Sequence, residues 1–138
     1  MSLYEVLEKS DRTEYKKLIK DAKEYRYNEI YIINNRNNYE KLKEYNQDYG
    51  VYAFISNRGM PLYVGKADVQ NLCDRVSQHF GDNDSGGIRY KLKSKKKSLD
   101  ELNNSTVYII PMSKCDKDKE ISYMEAYLIG TLKPIYNF

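Results

Sequence analysis

The sequence predicts an α/β (α+β) fold, a small and mainly antiparallel sheet of three or more strands flanked by helices. Three observations predict it. VYAFI and PLYVG, residues Val51 to Ile55 and Pro61 to Gly65, are rich in β-branched and aromatic residues and are parted by the turn signal Asn57-Arg58-Gly59. TVYIIPM, from Thr106 to Met112, is a third run of the same kind. Two stretches beside these runs carry apolar residues at helical spacing. The 138 residues make one domain's worth of chain, without repeat or low-complexity linker.

Taken in order, residues 11 to 27 read as a charged helix, with Asp11 as N-cap and Glu14 at capping-box spacing. EIYII, Glu29 to Ile33, reads as a short strand, Asn34 to Asn38 as a polar loop, and Tyr39 to Tyr45 as a short helix. Residues 1–48 are thereby expected to be a helical extension packed on the domain formed by 49–138. In the first two strands, period-2 alternation sets Val51, Ala53 and Ile55 against Tyr52, and Leu62 and Val64 against Tyr63. Both tyrosines then leave the hairpin on the face opposite its apolar residues. A helix over 69–80 follows from the stripe Val69, Leu72, Cys73, Val76 and Phe80, with Arg75 and His79 four apart at its edge. Gly81 to Gly87 reads as a flexible loop. Pro111 suggests that the third strand lies at an edge or ends there.

The final helix, about 118–132, holds a puzzle. At about 100° per residue, Ile121, Met124, Leu128 and Leu132 share one face, and Glu125 falls inside it. A carboxylate buried without a partner is costly, so it pairs, neutralises or binds a metal. Pairing with a lysine or with Arg75 is the plain alternative to a metal role.

Charge and composition exclude several classes. Apolar residues make up 41% and charged residues 31%, which favours a folded domain over disorder. No apolar run approaches the roughly 20 residues of a membrane span, and no basic-then-apolar leader opens the chain. Cys73 and Cys115 are far apart, and with a single histidine they are too few for a zinc site. An intracellular, cytoplasmic location fits these cysteines. The net charge of +3 is mild, but Arg89, Lys91, Lys93, Lys95, Lys96 and Lys97 fall within eleven residues without an acid. Such a block is either a solvated helix end or a surface for phosphate backbones.

Four blocks resemble the GIY-YIG nuclease family. They are Gly50-Val51-Tyr52, then Tyr63-Val64-Gly65-Lys66-Ala67, then Arg75-Val76 with His79-Phe80, and finally Glu125 through Asn137 with Pro134 between. The stretch 63–80 is similar to the nuclease domain of the bacterial excision-repair incision subunit, and YVGKA also to restriction enzymes of the family. Valine stands where the signature triplets carry isoleucine, which keeps β-branching. The first 48 residues show no resemblance.

The resemblance implies a DNA endonuclease that uses one divalent metal, Mg²⁺ with Mn²⁺ as a substitute, and leaves 5′-phosphate and 3′-hydroxyl ends. Glu125 would be the metal ligand. Tyr52 would position or deprotonate the attacking water, although a free phenol is a poor base at neutral pH. Lys66 and Arg75 would supply the nearby positive charge, and Arg75 would face the scissile phosphate. Tyr63 would bond phosphate or water, His79 would relay a proton or contact phosphate, and Asn137 would orient Tyr52 or tie the chain end to the site. The role is either restriction-type, which would call for a homodimer, or repair-type and structure-selective, which would not. The alternative is a non-catalytic nucleic-acid-binding module that keeps the fold.

Overall fold

The computed structural model describes residues 19–31, 39–112 and 117–137. Its centre is a four-stranded, wholly antiparallel sheet built from β1 (Lys23–Arg26), β2 (Tyr49–Ile55), β3 (Pro61–Ala67) and β4 (Thr106–Met112), in the order β1-β4-β2-β3. Helices cover both faces. These are α1 (Tyr27–Ile30), α2 (Leu72–Ser77), α3 (Ile88–Ser94), α4 (Asp100–Asn103) and the long α5 (Lys117–Leu132), with 3-10 turns at Tyr39–Tyr45 and Gln78–Phe80. Among the described residues no helix is long and apolar enough to cross a membrane.

Two cores result, one on each face of the sheet. Val51, Ala53, Ile55, Val64, Tyr108 and Ile110 pack against Ile121, Met124, Leu128 and Leu132 of α5, the stripe expected from helical spacing. The other face buries Tyr52, Phe54, Leu62, Val107 and Ile109 under α1, α2, α3 and the Tyr39–Tyr45 turn. The expected alternation holds along β2, but its second face is covered rather than open, so Tyr52 is fully buried. Leu62 departs from alternation. The register slips between Phe54 and Ile55, which pair with Tyr63 and Pro61, and this bulge turns Leu62 to the Tyr52 side.

The N-terminal half is where the sequence misled most. The proposed cap residues Asp11 and Glu14 lie outside the described residues. Ile19 and Lys20 are helical, but the chain is extended at Lys23–Arg26 and helical at Tyr27–Ile30. The strand thus lies several residues before the apolar run EIYII. KEYR has no strand signal of its own; its ladder with Ile109 to Thr106 of β4 makes it one, and the Tyr27 N–H continues to the Ser105 carbonyl at 2.9 Å. With β1 on its outer side, β4 is an inner strand. Pro111 is tolerated because it lies beyond the reach of β1, at the strand end.

The helix expected from Val69 begins later. Asn71 is its N-cap, accepting the Asp74 N–H at 2.8 Å, and Val69 stands outside at 89% exposure. Lys133 takes a left-handed conformation and Pro134 follows, which ends α5.

Candidate active site

Strand β3 is at the edge of the sheet, and that position makes the site. Along β3, Tyr63 and Gly65 lie toward the Tyr52 face while Lys66 points to the α5 face. At an edge, side chains from opposite faces can reach one opening. A cleft of about 320 Å³ there is lined by Tyr63, Gly65, Lys66, Asp68, Arg75 and Glu125, among others. A larger polar depression of about 430 Å³ lies where β2 ends and β4 begins, bordered by Arg26, Asn57 and Asn104, and none of the four motif blocks lines it.

Each side chain reaches the cleft for a local reason. Lys66 Nζ donates to Ser122 Oγ at 2.9 Å and pairs with Asp68 Oδ2 at 3.1 Å, which ties β3 to α5. Arg75 Nη1 donates to Gln78 Oε1 at 2.5 Å and to the Gly86 carbonyl at 3.2 Å. This holds the guanidinium from one end. Glu125 lies one turn from Ile121 and Leu128 at the margin of the apolar face, half-buried. Among the described residues it has no hydrogen bond and no ion pair. Burial pushes its carboxyl pKa up; Lys66 pulls it down, Asp68 adds to the rise, and Arg75 opposes it.

Tyr52 and His79 lie beneath the cleft floor. The Tyr52 hydroxyl is 2.7 Å from His79 Nε2, and the imidazole sits among the rings of Tyr52, Phe54 and Tyr63. A Cβ on Gly65 would come within 2.4 Å of the Tyr52 hydroxyl, so the missing side chain is what admits the phenol under the strand. Gly50 likewise lets β2 and β4 close up, since a Cβ there would meet the Ile110 carbonyl at 2.1 Å. Burial raises the Tyr52 pKa, against a lowering by Arg75. Tyr63 is raised for the same reason. Burial holds His79 well below the usual imidazole range, with Arg75 and Lys91 adding to it.

Of the residues singled out in the sequence, Tyr63, Lys66, Arg75 and Glu125 meet in the cleft, with Tyr52 directly under it. His79 lies a layer deeper than Tyr52, with Nε2 on the Tyr52 hydroxyl and Nδ1 on the Ile88 N–H, so neither ring nitrogen is left for a phosphate in the cleft. Asn137 bonds the backbone of Val64 through both its side-chain atoms and does not reach Tyr52. Arg89 leaves the basic surface altogether. It is 5% exposed, bonded to Asp82 at 2.9 Å and Asn103 at 2.8 Å, and stacked 3.6 Å over the Tyr31 ring. Lys93 also turns to Asp82, at 3.3 Å. Lys95, Lys96 and Lys97 are exposed, and Lys91 is half-exposed.

Asp68, Ser122 and Gln78 were missed in the sequence. Their signal was positional: Asp68 follows Lys66 by two, Ser122 precedes Glu125 by three, and Gln78 follows Arg75 by three. Among the described residues no three His, Cys, Asp or Glu side chains converge as a metal cage. A lone carboxylate is still compatible with magnesium, which keeps most of its waters and uses one or two carboxylates.

The profile of the GIY-YIG catalytic domain matches residues 48–137. Among curated proteins, the chain is similar to UvrABC system protein C of Petrotoga mobilis, 37% identical over 90 residues, 64% of this chain and 13% of that protein. The same protein of Dictyoglomus thermophilum is 35% identical over 98 residues, 71% of this chain and 14% of the relative. That of a Wolbachia strain is 33% identical over 99 residues, again 71% and 14%. The chain therefore spans about a seventh of the length of these relatives. No solved structure matches significantly. Since the matched stretch takes in well over half of the chain and carries the cleft, this protein belongs to the GIY-YIG family of nuclease domains.

Proposed function

We propose that the chain is a DNA endonuclease whose cleft at the edge of β3 hydrolyses phosphodiester bonds with the help of a divalent metal, Mg²⁺ or Mn²⁺. The observation that carries this reading is the meeting of Tyr63, Lys66, Arg75 and an unpaired Glu125 carboxylate in one cleft, with the Tyr52 phenol below. In the reaction a water oxygen bonds to phosphorus while the bond to the 3′ oxygen breaks, leaving a 5′-phosphate and a 3′-hydroxyl. Arg75, fixed at Nη1 by Gln78 and Gly86, turns its remaining N–H groups to the charge that develops on the phosphoryl oxygens. Lys66 adds a second cation, held between Ser122 and Asp68. Tyr63 hydrogen-bonds the attacking water or a phosphate oxygen, and Tyr52 fixes the water from beneath. Glu125 would hold the metal, which when bound polarises the phosphoryl group and steadies the leaving oxygen.

The relatives belong by name to a UvrABC system, and what this chain shares with them is the nuclease domain. DNA is therefore the substrate class, with Lys91, Lys95, Lys96 and Lys97 as its backbone contacts. Supercoiled plasmid incubated with Mg²⁺ or with EDTA, wild type beside Glu125→Ala, tests the reading. Relaxation by wild type in Mg²⁺ alone is expected. Equal relaxation in every lane, or none, would reject it in favour of a binding module.

A further inference from the structure

The hydrogen bond between Tyr52 and His79 has a direction, and the backbone of α3 sets it. The Ile88 N–H points at His79 Nδ1, 2.9 Å away. A backbone amide can only donate, so Nδ1 must present its lone pair. A proton on Nδ1 would set two donors head to head at that distance. This excludes both the imidazolium and the tautomer with hydrogen on Nδ1. The remaining form carries its hydrogen on Nε2, the atom 2.7 Å from the Tyr52 hydroxyl. The full burial of His79, with Arg75 and Lys91 nearby, favours the same neutral ring.

We propose that His79 donates its Nε2–H to the Tyr52 oxygen, and so positions the phenol and steadies its phenolate instead of accepting its proton. This deepens the nuclease reading and rests on it. With one lone pair of its oxygen taken up by His79, the Tyr52 hydroxyl must turn its own hydrogen away from the imidazole. No other described residue accepts that hydrogen. The hydroxyl lies against Gly65, which lines the cleft, so its hydrogen is directed toward the cleft, and solvent there takes the proton when the phenolate forms. His79 is thereby a positioning residue, acting on the reaction through Tyr52. Gly87 belongs to the same device. A Cβ there would overlap the Gln78 carbonyl at 1.9 Å, and the close fit brings the start of α3 against His79.

The chain has one histidine, so its ring nitrogens can be followed without ambiguity in the ¹⁵N-labelled full chain. Two-bond proton–nitrogen correlation is expected to show Nε2 protonated and Nδ1 bare, with Nε2 shifted in Tyr52→Phe. A protonated Nδ1, a doubly protonated ring, or an Nε2 signal indifferent to Tyr52→Phe overturns the proposal. In plasmid cleavage, His79→Ala should lower kcat about 10- to 100-fold, the worth of a hydrogen bond to a charged group, while His79→Gln, which keeps an amide donor near Tyr52, stays within about threefold of wild type. Equal loss in both variants also overturns it. If His79→Ala does not fold, the wild-type spectrum decides. A wild type that cuts nothing rejects the nuclease reading, and the spectra still decide the hydrogen bond.

Discussion

The side chain of Asn137 clamps Val64 at two points: its Oδ1 accepts the Val64 N–H at 2.8 Å, and its Nδ2 donates to the Val64 carbonyl at 2.7 Å. The preceding residues continue the seam, with the Ile135 N–H on the Pro61 carbonyl and the Tyr136 N–H on Leu62. The end of the chain thus covers the open edge of β3, which would otherwise present unpaired backbone. Asn137→Ala removes both bonds and should cost about 1–3 kcal/mol in denaturant unfolding. Because Gly65 and Lys66 follow Val64 directly, cleavage should fall further than stability alone explains. Asn137→Asp keeps the acceptor and loses the donor, and should fall between.

Gly65→Ala tests whether Tyr52 must lie flush under β3. The added methyl would meet the hydroxyl at 2.4 Å, and the phenol is walled in by Phe54, Tyr63 and His79. A displacement of about 1 Å at such a site is expected to cost on the order of 100-fold in rate. The measurement is single-turnover cleavage alongside circular dichroism; unchanged rates would mean that Tyr52 has no part in the chemistry.

Glu125 should oppose stability and serve function. Its pKa is raised in the folded chain above its ordinary 4.5, so the fold holds that proton more tightly than the unfolded chain does. Its contribution is fully present below the unfolded pKa and is lost as pH rises through the folded one. At neutral pH, Glu125→Gln should therefore be at least as stable as wild type, and its stability should fall less across the mildly acidic range. Urea midpoints at several pH values check this. Cleavage should be lost in the same variant, since a neutral amide is a poor magnesium ligand. In wild type, acidification should lower activity most at limiting Mg²⁺, because protons then compete with the metal for Glu125.

Arg89 and the lysine cluster should separate cleanly. Arg89→Ala breaks a buried pair and a stack on Tyr31, though Asp82 keeps Lys93; a loss of roughly 2–3 kcal/mol in stability is expected. DNA affinity of the folded fraction should barely change. Neutralising Lys95, Lys96 and Lys97 together should cost less stability than Arg89→Ala, since all three side chains are exposed. It should also flatten the salt dependence of binding by up to about three in slope, one for each phosphate that no longer meets a cation. Fluorescence anisotropy over a salt series distinguishes the two.

Local pattern alone determined a good part of this protein. The alternation in Val51–Ile55, the turn at Asn57–Gly59 and the 3.6-residue spacing of Ile121, Met124, Leu128 and Leu132 are each contained within one element. Covalent geometry therefore fixes which residues share a face. The out-of-place acid Glu125 was legible for the same reason. What depended on partners distant in sequence was not legible. Lys23–Arg26 is a strand because β4 offers it a ladder, and Leu62 changes face because a bulge is set across two strands. Arg89 reads as one more cation in a basic run until Asp82, Asn103 and Tyr31 close around it. His79 reads as a helix-edge histidine until the Ile88 amide dictates which nitrogen keeps the proton. Sequence spacing sets the direction in which a side chain leaves its own backbone, whereas its burial, its charge partner and its tautomer belong to whatever the rest of the chain packs against it.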